Sequence, residues 1–150
     1  MKKNEPEKKQ RLYTPKRRTG EVNEPAPVYR SIKSLPQVKD FTYNEFKKVA
    51  DKTPFTQTEW AAMLHVSERT LQRYAKSNGV FAPIIAERFH QLHTLFNKGK
   101  QLFGTIRSFY DWIHSNPPML EGELSFSSLT SFDGIQKVMT QIGRIEHGIL

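Results

Sequence analysis

From Phe41 onward apolar residues recur at helical spacing, and residues with capping chemistry punctuate them. Thr42-x-x-Glu45 has the form of a capping box, in which the hydroxyl takes an orphan amide and the carboxylate reaches back to the cap's own N–H. It predicts a helix through about Lys52 with Phe46 and Val49 inward. Thr56 and Glu59 repeat the device and open a short helix with Ala61 and Leu64 on one face. His65-Val66-Ser67 reads as a turn, and Ser67 as the cap of a second helix carrying Leu71 and Tyr74 inward. Asn78-Gly79 is a left-handed stop, and Pro83 suits the first turn of another helix. Ile85, Phe89, Leu92 and Phe96 predict that this helix is amphipathic over 84–97, with a break or a kink at Asn97-Lys98-Gly99. A further helix over about 100–114 carries Leu102, Phe103, Ile106, Phe109, Tyr110, Trp112 and Ile113, apolar over more than half its circumference. Residues 115–130 read as a loop until the Ser127–Leu129 region. A last helix starts near Phe132, with Ile135, Val138, Met139, Ile142 and Ile145 inward and Asp133 in the first turn, favourable against the helix dipole. No run alternates at period two for long enough to make a strand, so the fold class is all-α.

The two helices flanking His65 give the pattern its meaning. Thr56–Tyr74 reads residue by residue as a helix-turn-helix, and its second helix leaves Glu68, Arg69, Gln72, Arg73 and Lys76 pointing outward. A polar, net-basic face on a helix presented by a tight turn is what reading the major groove requires. Arg69, Gln72 and Arg73, just after the Ser67 cap, are the expected base readers. One position departs from the usual pattern: His65 stands where such turns commonly carry glycine, because the turn wants a positive φ.

Charge supports a polyanionic partner. The 150-residue chain has a net charge of +8 and a pI near 9.8. Residues 1–40 hold eleven Lys/Arg against five Asp/Glu, a net of +6, and 41–150 hold twelve against ten. Residues 1–36 are poor in apolar side chains and rich in Pro, Lys, Arg and Glu, which predicts a disordered basic tail that raises non-specific phosphate affinity. The expected organisation is this tail, a helix-turn-helix domain over 41–97, and a small helical domain over 98–150. The amphipathic helices spanning 84–113 display more apolar surface than a domain of this size readily buries, which predicts a homodimer. No stretch of eighteen apolar residues spans a membrane, and the charged start lacks the apolar core of a signal peptide, so a cytoplasmic protein is expected.

Little in the chain promises catalysis. There is no cysteine, and hence no disulfide, thiolate nucleophile or Cys-ligated zinc. Neither a serine elbow nor a phosphate-cradling glycine loop is present. Glu87, His90 and His93 share one face of a predicted helix, but no fourth ligand or metal motif accompanies them. Neither catalysis, a metal nor a cofactor is expected of this chain.

The second half adds a resemblance. Trp112-Ile113, Ser115-Asn116-Pro117, Leu120-x-Gly122, Leu129-Thr130-Ser131, Gly134 and Val138, closing on Ile142-Gly143-Arg144-Ile145-Glu146-His147-Gly148, resemble the toxin-binding domain of the Xre/MbcA/ParS antitoxin family. The resemblance covers roughly 45–150, in the family's order of helix-turn-helix first and toxin-binding domain last. It departs at Ser125, where the family usually has proline after the glycine-containing loop. It implies an antitoxin that occludes the active site of a RES-domain toxin, an enzyme that consumes NAD, and that binds operator DNA to repress its own operon. Toxin contact is implied for Arg144, Glu146, His147 and Gly148, with Trp112, Asn116 and Gly122 shaping the domain. Two rival readings stay open: a helix-turn-helix regulator without a toxin partner, and an interaction module whose helix-turn-helix is only scaffold.

Overall fold

The computed structural model describes residues 39–120 and 122–149, which belong to one compact unit. The tail expected over 1–36 lies outside the described residues. Among the described residues six helices carry the fold: α1 (Tyr43–Ala50), α2 (Gln57–Leu64), α3 (Glu68–Ser77), α4 (Pro83–Phe103), α5 (Ile106–His114) and α6 (Phe132–Glu146). A two-strand hairpin, β1 (Pro118–Met119) with β2 (Gly122–Glu123), and a 3₁₀ helix over Phe126–Thr130 link α5 to α6. The class is all-α.

The helix starts follow the expected capping chemistry. The Thr42 amide donates to Glu45 Oε2 at 3.2 Å. The Thr56 amide donates to Glu59 Oε2 at 2.8 Å, and Thr56 Oγ1 accepts from the Glu59 amide at 3.2 Å. Ser67 caps α3 through the Thr70 amide, and Ser131, which the sequence reading did not single out as a cap, caps α6 through the Gly134 amide, each at 3.0 Å. Pro83 opens α4, where its missing N–H costs nothing.

The core is aromatic at its centre. Trp60 packs edge-on against Phe46, with ring centroids 5.2 Å apart, and against Phe96 at 5.7 Å. Phe55 stacks on Phe96 at 4.7 Å. Trp60, Ala61, Met63 and Leu64 are all buried, so α2 is covered on more than one face, by α3, α4 and the 3₁₀ helix. The chain entering α1 also pairs with the chain leaving α3: the Phe81 amide donates to the Phe41 carbonyl at 2.9 Å, and the Asn44 amide to Asn78 Oδ1 at 2.9 Å.

Three expectations are corrected. First, no break occurs at Asn97-Lys98-Gly99; α4 runs through it to Phe103. Gly99 is buried inside the helix because a Cβ there would come 2.5 Å from Cδ2 of Phe109, so the glycine admits α5 rather than ending α4. Second, the expected helix over 100–114 is two elements. α4 ends at Gly104, which has φ 86°, and Thr105 caps α5 by accepting from the Ser108 amide at 3.0 Å. Apolar residues that surround one continuous helix are in fact shared between two, with Leu102 and Phe103 on the first. Third, the apolar face of α4 is not left over for a partner. Phe89, Leu92, Leu95 and Phe96 are buried within the chain, while Ile84 stays 77% exposed. The hairpin was not expected either, since two-residue strands leave no period-two signal.

Candidate nucleic-acid interface

The turn between α2 and α3 has the conformation that the sequence demands of it. His65 sits in the left-handed region at φ 57°, ψ 40°, and it closes α2 by donating its amide to Ala62. The chain then extends through Ser67, whose hydroxyl starts α3. Leu71 is buried beneath α3, and Tyr74 packs edge-on to Phe81 with centroids 5.1 Å apart. Inner residues thus fix the rotation of α3 about its axis, and with it the direction of the outer ones.

Glu68, Arg69, Gln72, Arg73 and Lys76 are all exposed on α3. Positions 68, 72 and 76 stack one turn apart, with 69 and 73 alongside them, so the five form one face. Three cations oppose one carboxylate there. The Arg73 guanidinium lies 5.4 Å from the Tyr74 ring centroid, an orientation that steadies it without consuming its donors. Glu68 occupies the first turn, where it complements the helix dipole whether or not it accepts a base amino group.

Two polar clusters that the sequence did not disclose hold this motif to the rest of the chain. In the first, Glu59 Oε1 accepts from His114 Nε2 at 2.7 Å and from the Tyr110 hydroxyl at 3.3 Å, while its other oxygen caps α2. His114 lies against Tyr110 and Phe126, with ring centroids 4.0 and 5.3 Å away. Burial, and after it the charge of Glu59, holds the Tyr110 phenol above its ordinary pKa. In the second, Arg88 donates through Nε to the Met63 carbonyl and through Nη2 to the Thr130 carbonyl, which also accepts from His65 Nε2. Burial pulls the Arg88 pKa below its usual value, although a guanidinium stays charged at any ordinary pH. His65 alone offered a hint, as a ring placed where glycine is cheaper. The partners lie 25 to 65 residues apart in sequence and leave no local signal.

The residues of the second constellation lie mainly on α6. Arg144 is half-buried in its last turn, and Glu146, His147 and Gly148 are exposed. Gly148 has φ 68°; its amide donates to Ile145 and the Ile149 amide donates to Arg144, the paired bonds of a Schellman stop. Trp112 is partly buried against Phe103 and Phe109, Asn116 takes φ 51° after α5, and Gly122 lies in β2. Ser125 starts the 3₁₀ helix, and its amide donates to Ser128 Oγ at 3.1 Å, a bond that proline could not make. His90 and His93 lie against Phe41 and Phe89, and among the described residues no three metal-ligating side chains gather.

Residues 45–88 match the family model of the antitoxin Xre-like helix-turn-helix domain. The match supports an Xre-type antitoxin. It contains α2, the His65 turn and all of α3, and so supports a DNA-binding regulator. No curated protein matches the chain at a significant level. No helix among the described residues is long and apolar enough to cross a membrane.

Proposed function

We propose that this chain is a cytoplasmic antitoxin that binds operator DNA through α3, represses its own operon, and neutralises a RES-domain toxin through the end of α6. The observation that carries the DNA half is the coincidence of the matched antitoxin-type motif with an exposed, net-basic face on a helix locked from beneath by Leu71 and Tyr74. Arg69, Gln72 and Arg73 read base edges, and Lys76 meets phosphate. A homodimer supplies the two-fold symmetry that helix-turn-helix operators require.

The toxin half rests on the likeness of Ile142–Gly148 to the family's closing segment. Arg144, Glu146 and His147 stand together on the last turn and cap of α6, where the Schellman stop turns the chain away from the helix. A guanidinium offers directional donors to a carboxylate or to the polar groups of a nucleotide pocket. The chain itself performs no catalysis; it acts by occlusion, with the end of α6 serving the toxin and α3 the DNA, while the expected boundary at 97/98 falls inside the continuous α4.

A search of the adjacent reading frames for a RES-domain protein, followed by co-expression with it, tests the proposal. The wild-type chain is expected to restore growth, and a variant with Ala at 144, 146 and 147 is expected to lose that protection while still binding DNA. Full protection by the variant at equal abundance contradicts the α6 assignment, and absence of any such neighbouring reading frame contradicts the toxin half as a whole.

A further inference from the structure

We propose that the Thr130 carbonyl is a joint through which the C-terminal part of the chain sets the pose of α3, with His65 and Arg88 as its positioning residues. One acceptor holds two donors from different elements. His65 Nε2 approaches from the helix-turn-helix turn and Arg88 Nη2 from α4. The second arm of Arg88 reaches the Met63 carbonyl, in the last turn of α2, where helix carbonyls lack an intrahelical partner. Both ends of the joint therefore close on the same turn.

A side chain at φ 57° is disfavoured relative to glycine, yet the turn carries an imidazole. Glycine would relieve the backbone and lose the reach to Thr130. On the other side, Thr130 is followed directly by Ser131, the cap of α6. The route from α6 to α3 is thus short and contiguous: Ser131, Thr130, the His65 ring, then Val66 and the Ser67 cap. A partner that shifts the start of α6 moves the carbonyl on which the turn rests, and DNA that shifts the turn moves α6. The coupling is reciprocal by linkage. This consequence for DNA and partner rests on the proposed function, but the joint itself does not.

Amide hydrogen exchange of the full chain, without DNA or partner, tests it. In His65→Gly, the amides of Val66, Thr70 and Leu71 are expected to exchange about fivefold faster, the fold-change of one hydrogen bond's net contribution. His65→Gln, which keeps a donor of similar reach, is expected to recover part of the protection. Unchanged or slower exchange in His65→Gly makes His65 a plain turn residue and overturns the proposal. Gly134→Ala supplies the remote arm, because its Cβ would meet the Ser128 carbonyl oxygen at 2.1 Å and must displace the 3₁₀ helix. Faster exchange at 66–71 with the amides of Phe46 in α1 and of Asp51, which caps it, unaltered supports transmission, whereas change confined to 125–146 overturns it. Should Gly134→Ala lose its helical circular dichroism, Ser128→Ala, which removes only the acceptor for the Ser125 amide, takes its place with the same two readings. No DNA enters, so this result stands apart from the assignment of α3 as a reading helix.

Discussion

His114 Nε2 donates to Glu59 Oε1 across 2.7 Å, joining the end of α5 to the first turn of α2. The same carboxylate caps α2 through the Thr56 amide. One side chain therefore starts the first helix of the helix-turn-helix and anchors it to the C-terminal part of the chain. The Glu59 side chain is only 16% exposed, so its hydrogen bond to His114 competes less with water than one at the open surface would.

Glu59→Ala removes the cap and the acceptor together, and is expected to destabilise the fold by roughly 2–3 kcal/mol. His114→Ala is expected to cost less, because the cap survives. In a double-mutant cycle the two should couple by about 1 kcal/mol. Urea denaturation of the four proteins measures this, and additive losses would show that the contact contributes nothing of its own.

Tyr110 predicts an alkaline effect. A phenol whose folded pKa is raised contributes stability that is fully present below its unfolded value, about 10, and is lost as pH rises through the folded value. Stability should therefore fall as pH rises above about 10, and Tyr110→Phe should lose less over that window. Absorbance titration should also lose one phenolate that ionises above the ordinary tyrosine value in Tyr110→Phe. Identical pH profiles in the two proteins would contradict the raised value.

Two helical glycines should respond to alanine with opposite signs. At Gly99 a methyl collides with the buried Phe109 ring, and the overpacking cost of about 1–3 kcal/mol outweighs the helix-propensity gain. At Gly143 in α6 a Cβ meets nothing within 4 Å, so alanine is expected to stabilise by up to about 1 kcal/mol. Thermal melts of both variants decide the matter, and a stabilised Gly99→Ala would mean that α5 does not seat there.

Much of the fold was legible because its signals are local. The caps at Thr42, Thr56 and Ser67, the apolar stripes they introduce, and the strain at His65 can all be found within a few residues. The α4–α5 junction was not, because Gly99 resembles a stop until the Phe109 ring that fills its place is known. Trp60 and Met63 escaped notice because α2 is covered on several faces and shows no single stripe. For the candidate interface, the outward face of α3 could be read from the positions of Leu71 and Tyr74 alone. The anchors could not: Glu59 to His114 spans 55 residues and Arg88 to Thr130 spans 42, contacts that only the folded chain brings together.

Binding of a labelled duplex from upstream of the chain's own reading frame, monitored by fluorescence anisotropy at one fixed salt concentration, tests the central claim most directly. The wild-type chain is predicted to bind it in preference to a scrambled duplex. Arg69→Ala, Gln72→Ala and Arg73→Ala should each weaken binding by about 1–3 kcal/mol while circular dichroism stays unchanged. A triple variant that is folded and still binds the upstream duplex as tightly as the wild type would show that α3 does not read DNA.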